Sequence, residues 1–136
     1  MKLTPFEFNG TTYYLLLNGA AMFDIYDQFG SEGSILDHVM GNSRDAFENV
    51  CWYLEELAAQ GELFRRRQGF DNGPMLSANT LMLELSPMDV PRARAAIKAA
   101  VYRGLLREEE PPPGTVDLFR AEWEKKTDEN LPAPST

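Results

Sequence analysis

The side chains that could carry out nucleophilic or acid–base chemistry are few in this sequence and show no catalytic spacing. His38 is the single histidine and Cys51 the single cysteine, so a Ser-His-Asp or Cys-His arrangement would have to use one of them. Neither lies in a known signature, and no CxxC, HExxH, GxGxxG or P-loop pattern is present. We predict that His38 lies at the surface or at a helix end, that Cys51 is a buried apolar residue, and that the protein is not an enzyme.

Two carboxylates, Asp24 and Asp27, lie three residues apart in a helical pattern and could share one face of the helix. A bound metal ion usually takes more ligands than two carboxylates supply, and no further ligand lies near this pair in the sequence. We therefore expect the two carboxylates to form the solvated edge of their helix. The sequence predicts neither a metal ion nor a cofactor.

A basic run of three arginines, residues 65–67, could contact the phosphates of a nucleic acid. Residues 35–40, a turn and residues 43–60 look like a helix-turn-helix, and residues 61–69 would follow them as a wing with a basic strand. The helix that would enter the DNA groove, however, carries four carboxylates and only one arginine. Nucleic-acid binding is therefore disfavoured, and a winged-helix DNA-binding or regulatory protein is kept as the alternative.

The composition indicates a small acidic globular protein. The chain has 136 residues and a formal net charge of −8, which favours solubility and disfavours broad contact with a polyanion. A single cysteine excludes an internal disulfide framework. The first residues do not form a secretory signal, and no apolar run approaches the roughly 18 residues that a membrane helix needs. We expect a cytoplasmic protein without membrane contact.

The clearest folding signal lies near the N-terminus. Asn9-Gly10 separates two strand-like runs, and Asn-Gly is a preferred pair for the type I′ turn of a β-hairpin. Asn18 is then the predicted N-cap of a short helix that runs to Phe29 and is ended by Gly30. Because this helix has few polar positions, it is either buried on several sides or carries a partner-binding face.

The longest helix is predicted by a continuous apolar stripe, with Ser43 as its N-cap and Gly61 as the residue that ends it. Residues 62–68 could form a strand or a further helical turn.

Three other helices are predicted, over residues 34–40, after Ser77, and from about residue 89 until Gly104 ends the last one. The fold class is therefore mainly α (α+β), with an N-terminal β-hairpin followed by about five helices.

A change of composition predicts the domain boundaries. Residues 1–107 are expected to form a single globular domain. Residues 108–115 are a linker, because three glutamates repel one another there and three prolines favour an extended chain. Residues 116–136 are expected to form a short helix and a disordered tail. The helix, over residues 116–126, would place its large apolar residues on one side: Leu118, Phe119 and Trp123.

Residues 8–30, from the Asn9-Gly10 turn to the helix that ends in Phe29-Gly30, resemble small proteins of tailed phages and prophages of Gram-positive bacteria. Those proteins begin with a hairpin around Asn-Gly, continue with a helix ending in Phe-Gly and a helical body, and finish in an acidic, low-complexity segment. The chain is similar to their tail assembly chaperones, which coat the tape-measure protein during tail building. The resemblance covers residues 6–57 and consists of pattern and order, whereas residues 77–107 and the three arginines have no counterpart.

The resemblance implies a protein without catalysis that binds the tape-measure protein, or another tail protein, in the cytoplasm of the host cell. It is compatible with homo-oligomers along the partner. A small structural protein of the tail, or a head-completion protein, is a third interpretation. An acidic helical protein with an apolar groove could cover the apolar face of a long helical partner. We expect that groove between the hairpin and the apolar helix, with these exposed apolar residues as the partner-binding residues: Tyr13, Met22, Tyr26 and Phe29.

Overall fold

An antiparallel hairpin followed by four α-helices makes up residues 3–106, the part of the chain that the computed structural model describes. The mainly α fold class with an N-terminal hairpin is therefore confirmed. In place of about five helices, the described residues form four α-helices and two short 3₁₀ helices. In chain order the elements are β1 (Thr4–Phe8), β2 (Thr11–Leu15), α1 (Gly19–Phe29), a 3₁₀ helix (Asp37–Val39), α2 (Arg44–Arg67), α3 (Ala78–Glu84), a second 3₁₀ helix (Pro87–Asp89) and α4 (Val90–Leu105).

The hairpin forms at the predicted turn. Asn9 has φ of 50° and Gly10 has φ of 76°, so both central residues are in the positive-φ region that a type I′ turn requires. The turn sets a register in which Phe8 pairs with Thr11 and Thr4 pairs with Leu15. That register points Phe6 and Phe8 to the same side of the hairpin, where both are buried. The side chains therefore alternate between the core and solvent along β1.

Helix α2 is the centre of the fold, because the hairpin, α1, α3 and α4 all pack against it. Its predicted apolar stripe is confirmed: Val50, Leu54 and Leu57 are completely buried. Each fully buried side chain of this kind contributes about 1.5–3 kcal/mol relative to an exposed one. The helix begins as predicted at Ser43, whose hydroxyl accepts a hydrogen bond of 3.1 Å from the backbone N–H of Ala46.

The predicted end of α2 at Gly61 is wrong, because the helix continues through this glycine to Arg67. Gly61 is instead the point of closest approach between α2 and the hairpin. A Cβ atom at this position would lie far inside van der Waals distance of the backbone carbonyl of Tyr14 in β2. The glycine is thus required by a close contact between two backbones, and it does not terminate the helix.

Gly104 shows the same effect in α4, which extends one residue beyond it to Leu105. A Cβ atom on Gly104 would collide with the backbone oxygen and Cβ of Leu17, in the segment between β2 and α1. Two glycines that the sequence marked as helix ends are therefore positions where a helix contacts the hairpin or the chain directly after it.

The segment considered as a wing is helical. Residues 62–67 form the last turns of α2, so the helix-turn-helix-wing arrangement is not formed by the described residues. Residues 34–40, predicted as a short helix, contain the 3₁₀ helix Asp37–Val39. The helices predicted after Ser77 and from residue 89 or 90 are present as α3 and α4.

The predicted linker over residues 108–115 and the predicted helix and tail over residues 116–136 lie outside the described residues. Between residues 3 and 106, the structure contains no helix of the length and apolar character needed to cross a membrane.

Replacing Gly61 by Ala should destabilise the protein even though alanine is the better helix former. Helix propensity alone would favour Ala by about 1 kcal/mol, but the added methyl group meets the Tyr14 carbonyl and forces α2 away from β2. We expect a net loss of about 2 kcal/mol or more in the free energy of unfolding, measured by urea denaturation.

The matched control is Gly19→Ala in the first turn of α1, where a Cβ atom would meet nothing within 4 Å. This variant should be neutral or stabilised by up to about 1 kcal/mol. Equal stability of the two variants would show that the contact at Gly61 does not constrain the fold.

Candidate partner-binding surface

Helix α1 is held against α2 by its first turn. Asn18 is the N-cap as predicted, and its side-chain oxygen accepts a hydrogen bond of 2.8 Å from the backbone N–H of Ala21. The amide nitrogen of the same side chain donates to Oε1 of Gln60 in α2, at 3.0 Å. Ala21 and Ile25 are completely buried. Because these two residues lie one turn apart on a single face, the opposite face of α1 is directed towards solvent.

Phe29, one of the predicted binding residues, lies in an aromatic cluster at the end of α1. Its ring centroid is 4.8 Å from that of His38, 5.2 Å from that of Trp52 and 5.5 Å from that of Tyr53. The cluster joins α1 to α2 and to the 3₁₀ helix that contains His38. Phe29 therefore holds elements of the fold together and does not project as an exposed apolar group.

Two further predicted residues, Tyr13 and Met22, are also partly buried and pack against the core. Tyr26 is half-buried and makes an edge-to-face contact with Phe23, with the ring centroids 6.1 Å apart. Of the four predicted residues, only Tyr26 therefore contacts another aromatic residue on the outer side of α1.

Phe23, which sequence reasoning did not select, is the most exposed large residue of α1, with 61% of its surface accessible. It lies two residues from both Ala21 and Ile25, and this places it on the far side of the helix from the buried face. The sequence contained a signal for this position, because Phe23 is a large apolar residue that does not share the i, i+4 spacing of Ala21 and Ile25. We define Phe23 and Tyr26 as the α1 aromatic pair.

Carboxylates surround the α1 aromatic pair. Asp24 and Asp27 are both exposed, in agreement with the predicted solvated edge of the helix. Asp24 also interacts with Glu56 in α2. Desolvation by burial, followed by the interaction with the Asp24 carboxyl, raises the pKa of Glu56 from 4.5 to about 7. The Oε2 atom of Glu56 is buried and receives no hydrogen bond from the described residues, so the ionised form of this carboxyl lacks a compensating donor there.

Cys51 is a buried core residue, as predicted. Burial, together with the nearby charge of Glu48, raises the pKa of this thiol to about 11. It is therefore protonated at neutral pH. Within residues 3–106, no group of three or more His, Cys, Asp or Glu side chains is arranged to hold a metal ion.

The arginine run is largely used inside the protein. Glu62 is only 5% exposed and accepts hydrogen bonds from Arg65 at 2.6 Å and from Arg66 at 2.7 Å. It also accepts one of 2.5 Å from the backbone N–H of Gly73. Burial alone would raise the pKa of Glu62, but these donors hold it below its ordinary value. Of the three arginines, only Arg67 is exposed.

Arg65 makes two further contacts, since its guanidinium lies 5.1 Å from the ring centroid of Tyr14 and 5.3 Å from that of Phe70. The guanidinium of Arg65, which could have contacted a phosphate, thus lies against two aromatic rings.

No protein-family model, curated protein or solved structure matches this chain.

Replacing Glu56 by Gln should change how stability depends on pH. In the wild-type protein the Glu56 carboxyl binds its proton more tightly in the folded state than in the unfolded state, where its pKa has the ordinary value of 4.5. The resulting stabilisation is complete below pH 4.5 and is lost as the pH rises through about 7. Glu56→Gln should therefore increase the free energy of unfolding at pH 8 by about 1 kcal/mol, allowing for solvent screening of a half-buried group.

Thermal unfolding between pH 4 and pH 8 measures this effect. Glu48→Gln, which neutralises an exposed carboxylate on the same helix, is the matched control. A wild-type slope between pH 4.5 and 7 that Glu56→Gln leaves unchanged would contradict the raised pKa of Glu56.

Proposed function

We propose that this protein is a non-enzymatic phage tail assembly chaperone that binds the tape-measure protein through the outer face of α1. The resemblance of residues 8–30 to such chaperones supports the general role. The exposure of the α1 aromatic pair is the main evidence for the proposed surface. Phe23 is 61% exposed on a helix whose opposite face is fully buried.

The α1 aromatic pair has the properties of a binding anchor. Phe23 and Tyr26 are three residues apart, so they are neighbours on the surface of the helix. Aromatic side chains are enriched in protein interfaces, where they bury a large area for a small loss of side-chain freedom. An apolar stripe on a partner helix could pack across this pair and remove it from water.

The charge around the pair favours one kind of partner. Asp24 and Asp27 flank the aromatic rings, and α1 contains no basic residue. A partner helix with an apolar stripe bordered by Lys or Arg would therefore match this surface in both polarity and charge. The net charge of −8 would then keep the complex in solution while the apolar stripe is covered.

The double variant Phe23→Ser/Tyr26→Ser should lose partner capture without unfolding. Loss of an interface anchor commonly costs about 2 kcal/mol or more, so losing both should lower the affinity for the co-expressed tape-measure protein by roughly a thousandfold. Binding is measured by co-purification and by titration of the purified chaperone, and folding by circular dichroism and thermal unfolding.

The control is Leu83→Ser on α3, which changes an apolar residue that is 88% exposed on a different element. It should leave capture unchanged. Phe29→Ser should lower thermal stability, because it removes the centre of the aromatic cluster. A folded double variant that still captures the tape-measure protein would refute the α1 surface. Duplex DNA binding at low salt that is lost steeply as salt rises would instead favour the regulatory alternative.

A further inference from the structure

We propose that residues 116–126 of the same chain dock into an apolar groove between the 3₁₀ helix Asp37–Val39 and the first half of α4. This inference goes beyond partner capture by α1, because it concerns a different surface. It assigns an intramolecular occupant to the groove.

The groove has apolar walls and is open to solvent. Leu36, Val39 and Met40 form one wall, and Pro91 and Ala95 of α4 form the other. Its volume is about 300 Å³, which is at the lower end for clefts that take up a sizeable apolar group. Met40 is 55% exposed. A methionine side chain adapts its shape to an incoming apolar group more readily than a branched one.

Arg94 fixes the width of this groove. Its Nε atom donates a hydrogen bond of 2.7 Å to the backbone carbonyl of Val39, and its terminal nitrogen donates to the carbonyl of Gly41. These bonds tie the segment around the 3₁₀ helix to α4 without filling the space between them. The groove is thus a preformed feature of the folded domain.

The chain outside the described residues starts close to this groove and is long enough to reach it. The described part ends at Leu106, eleven residues beyond Ala95, which is about 16 Å along a helix. Arg107 and the linker over residues 108–115 lie between Leu106 and residue 116. In the extended form that prolines favour, these nine residues span about 28 Å. The linker can therefore turn back along α4 and bring residue 116 alongside the groove.

The charge of the linker that precedes the segment is complementary to that of α4. Helix α4 contains four basic residues and no acidic residue. The linker begins with Glu108, Glu109 and Glu110, and a return path along α4 would place them beside basic side chains such as Lys98, which lies at the edge of the groove. The same glutamates would be repelled by the α1 face, which carries Asp24 and Asp27.

The apolar residues of the segment have the spacing that such a groove accepts. Val116, Phe119 and Trp123 are at i, i+3 and i+7, which places them on one face of a helix. In the docked state Phe119 and Trp123 lie against Met40 and Ala95 and leave water. A single amphipathic helix held by a short linker has a high effective concentration at its site, so a modest contact is sufficient for docking.

The methyl group of Met40 reports on this docking in the full-length protein. With ¹³C-methyl methionine labelling, aromatic rings at the groove should shift the Met40 resonance. The double variant Phe119→Ser/Trp123→Ser should return it to the position of an exposed methionine. Leu131→Ser, a substitution in the same tail but outside the segment, should leave it unchanged. The Met75 methyl, exposed in the loop between α2 and α3, serves as a control for the fold in every variant.

The reciprocal experiment changes the groove. Ala95→Glu should shift the indole N–H resonance of Trp123 to the position of a solvated tryptophan, while the resonance of Trp52 shows that the domain remains folded. If Met40 does not respond to the double variant, the proposal is refuted. If the Met40 shift disappears on dilution, the segment of a second copy occupies the groove, and the intramolecular assignment is wrong.

Discussion

The close contact between the backbone of α2 and the backbone of β2 is the constraint on which the other contacts depend. Gly61 leaves no room for a side chain beneath the Tyr14 carbonyl. One turn earlier, the backbone N–H of Leu16 donates a hydrogen bond of 3.0 Å to the carbonyl of Leu57. A two-stranded hairpin is marginal when isolated in water. Here a helix covers one of its faces at the shortest distance that sterics allow, and Leu15 and Leu57 become completely buried as a result.

Glu62, the residue after Gly61, explains why the arginines at positions 65–67 do not form a basic surface. Because α2 continues past Gly61, Glu62 comes to lie in a nearly buried position. A buried carboxylate is costly unless several donors surround it. Arg65 and Arg66 supply two of them from the same helix, and the backbone of Gly73 supplies another from the following loop. The acid therefore organises the end of α2 and the loop, and two of the three cations are consumed in doing so.

The fold also separates two surfaces with different chemistry. The outer face of α1 combines the α1 aromatic pair with carboxylates. Helix α4 combines cations with one wall of an apolar groove. Because the two helices pack independently on α2, a group bound at one surface need not disturb the other. An acidic protein can in this way present two surfaces that differ in charge.

Elements that depend only on neighbouring residues could be predicted from the sequence. Asn9-Gly10 specified the hairpin turn, because both residues tolerate positive φ. The caps Asn18 and Ser43 specified the starts of α1 and α2, because each places a side-chain oxygen near free backbone N–H groups. The apolar stripe of α2 was readable from its helical period. The continuation of α2 past Gly61 could not be predicted in this way, because this glycine is required by a contact with β2, which lies far away in sequence.

The candidate surface was predictable to a similar extent. Composition identified α1 as the unusually apolar helix, but it could not tell which of its aromatic residues would find a partner inside the protein. Phe29 is covered by Trp52 and Tyr53 from α2, whereas nothing covers Phe23 to the same extent. That difference arises because Asn18 and Ile25 fix the rotation of α1 on α2. The direction of each aromatic side chain depends on this packing and cannot be predicted from the neighbouring residues in the sequence.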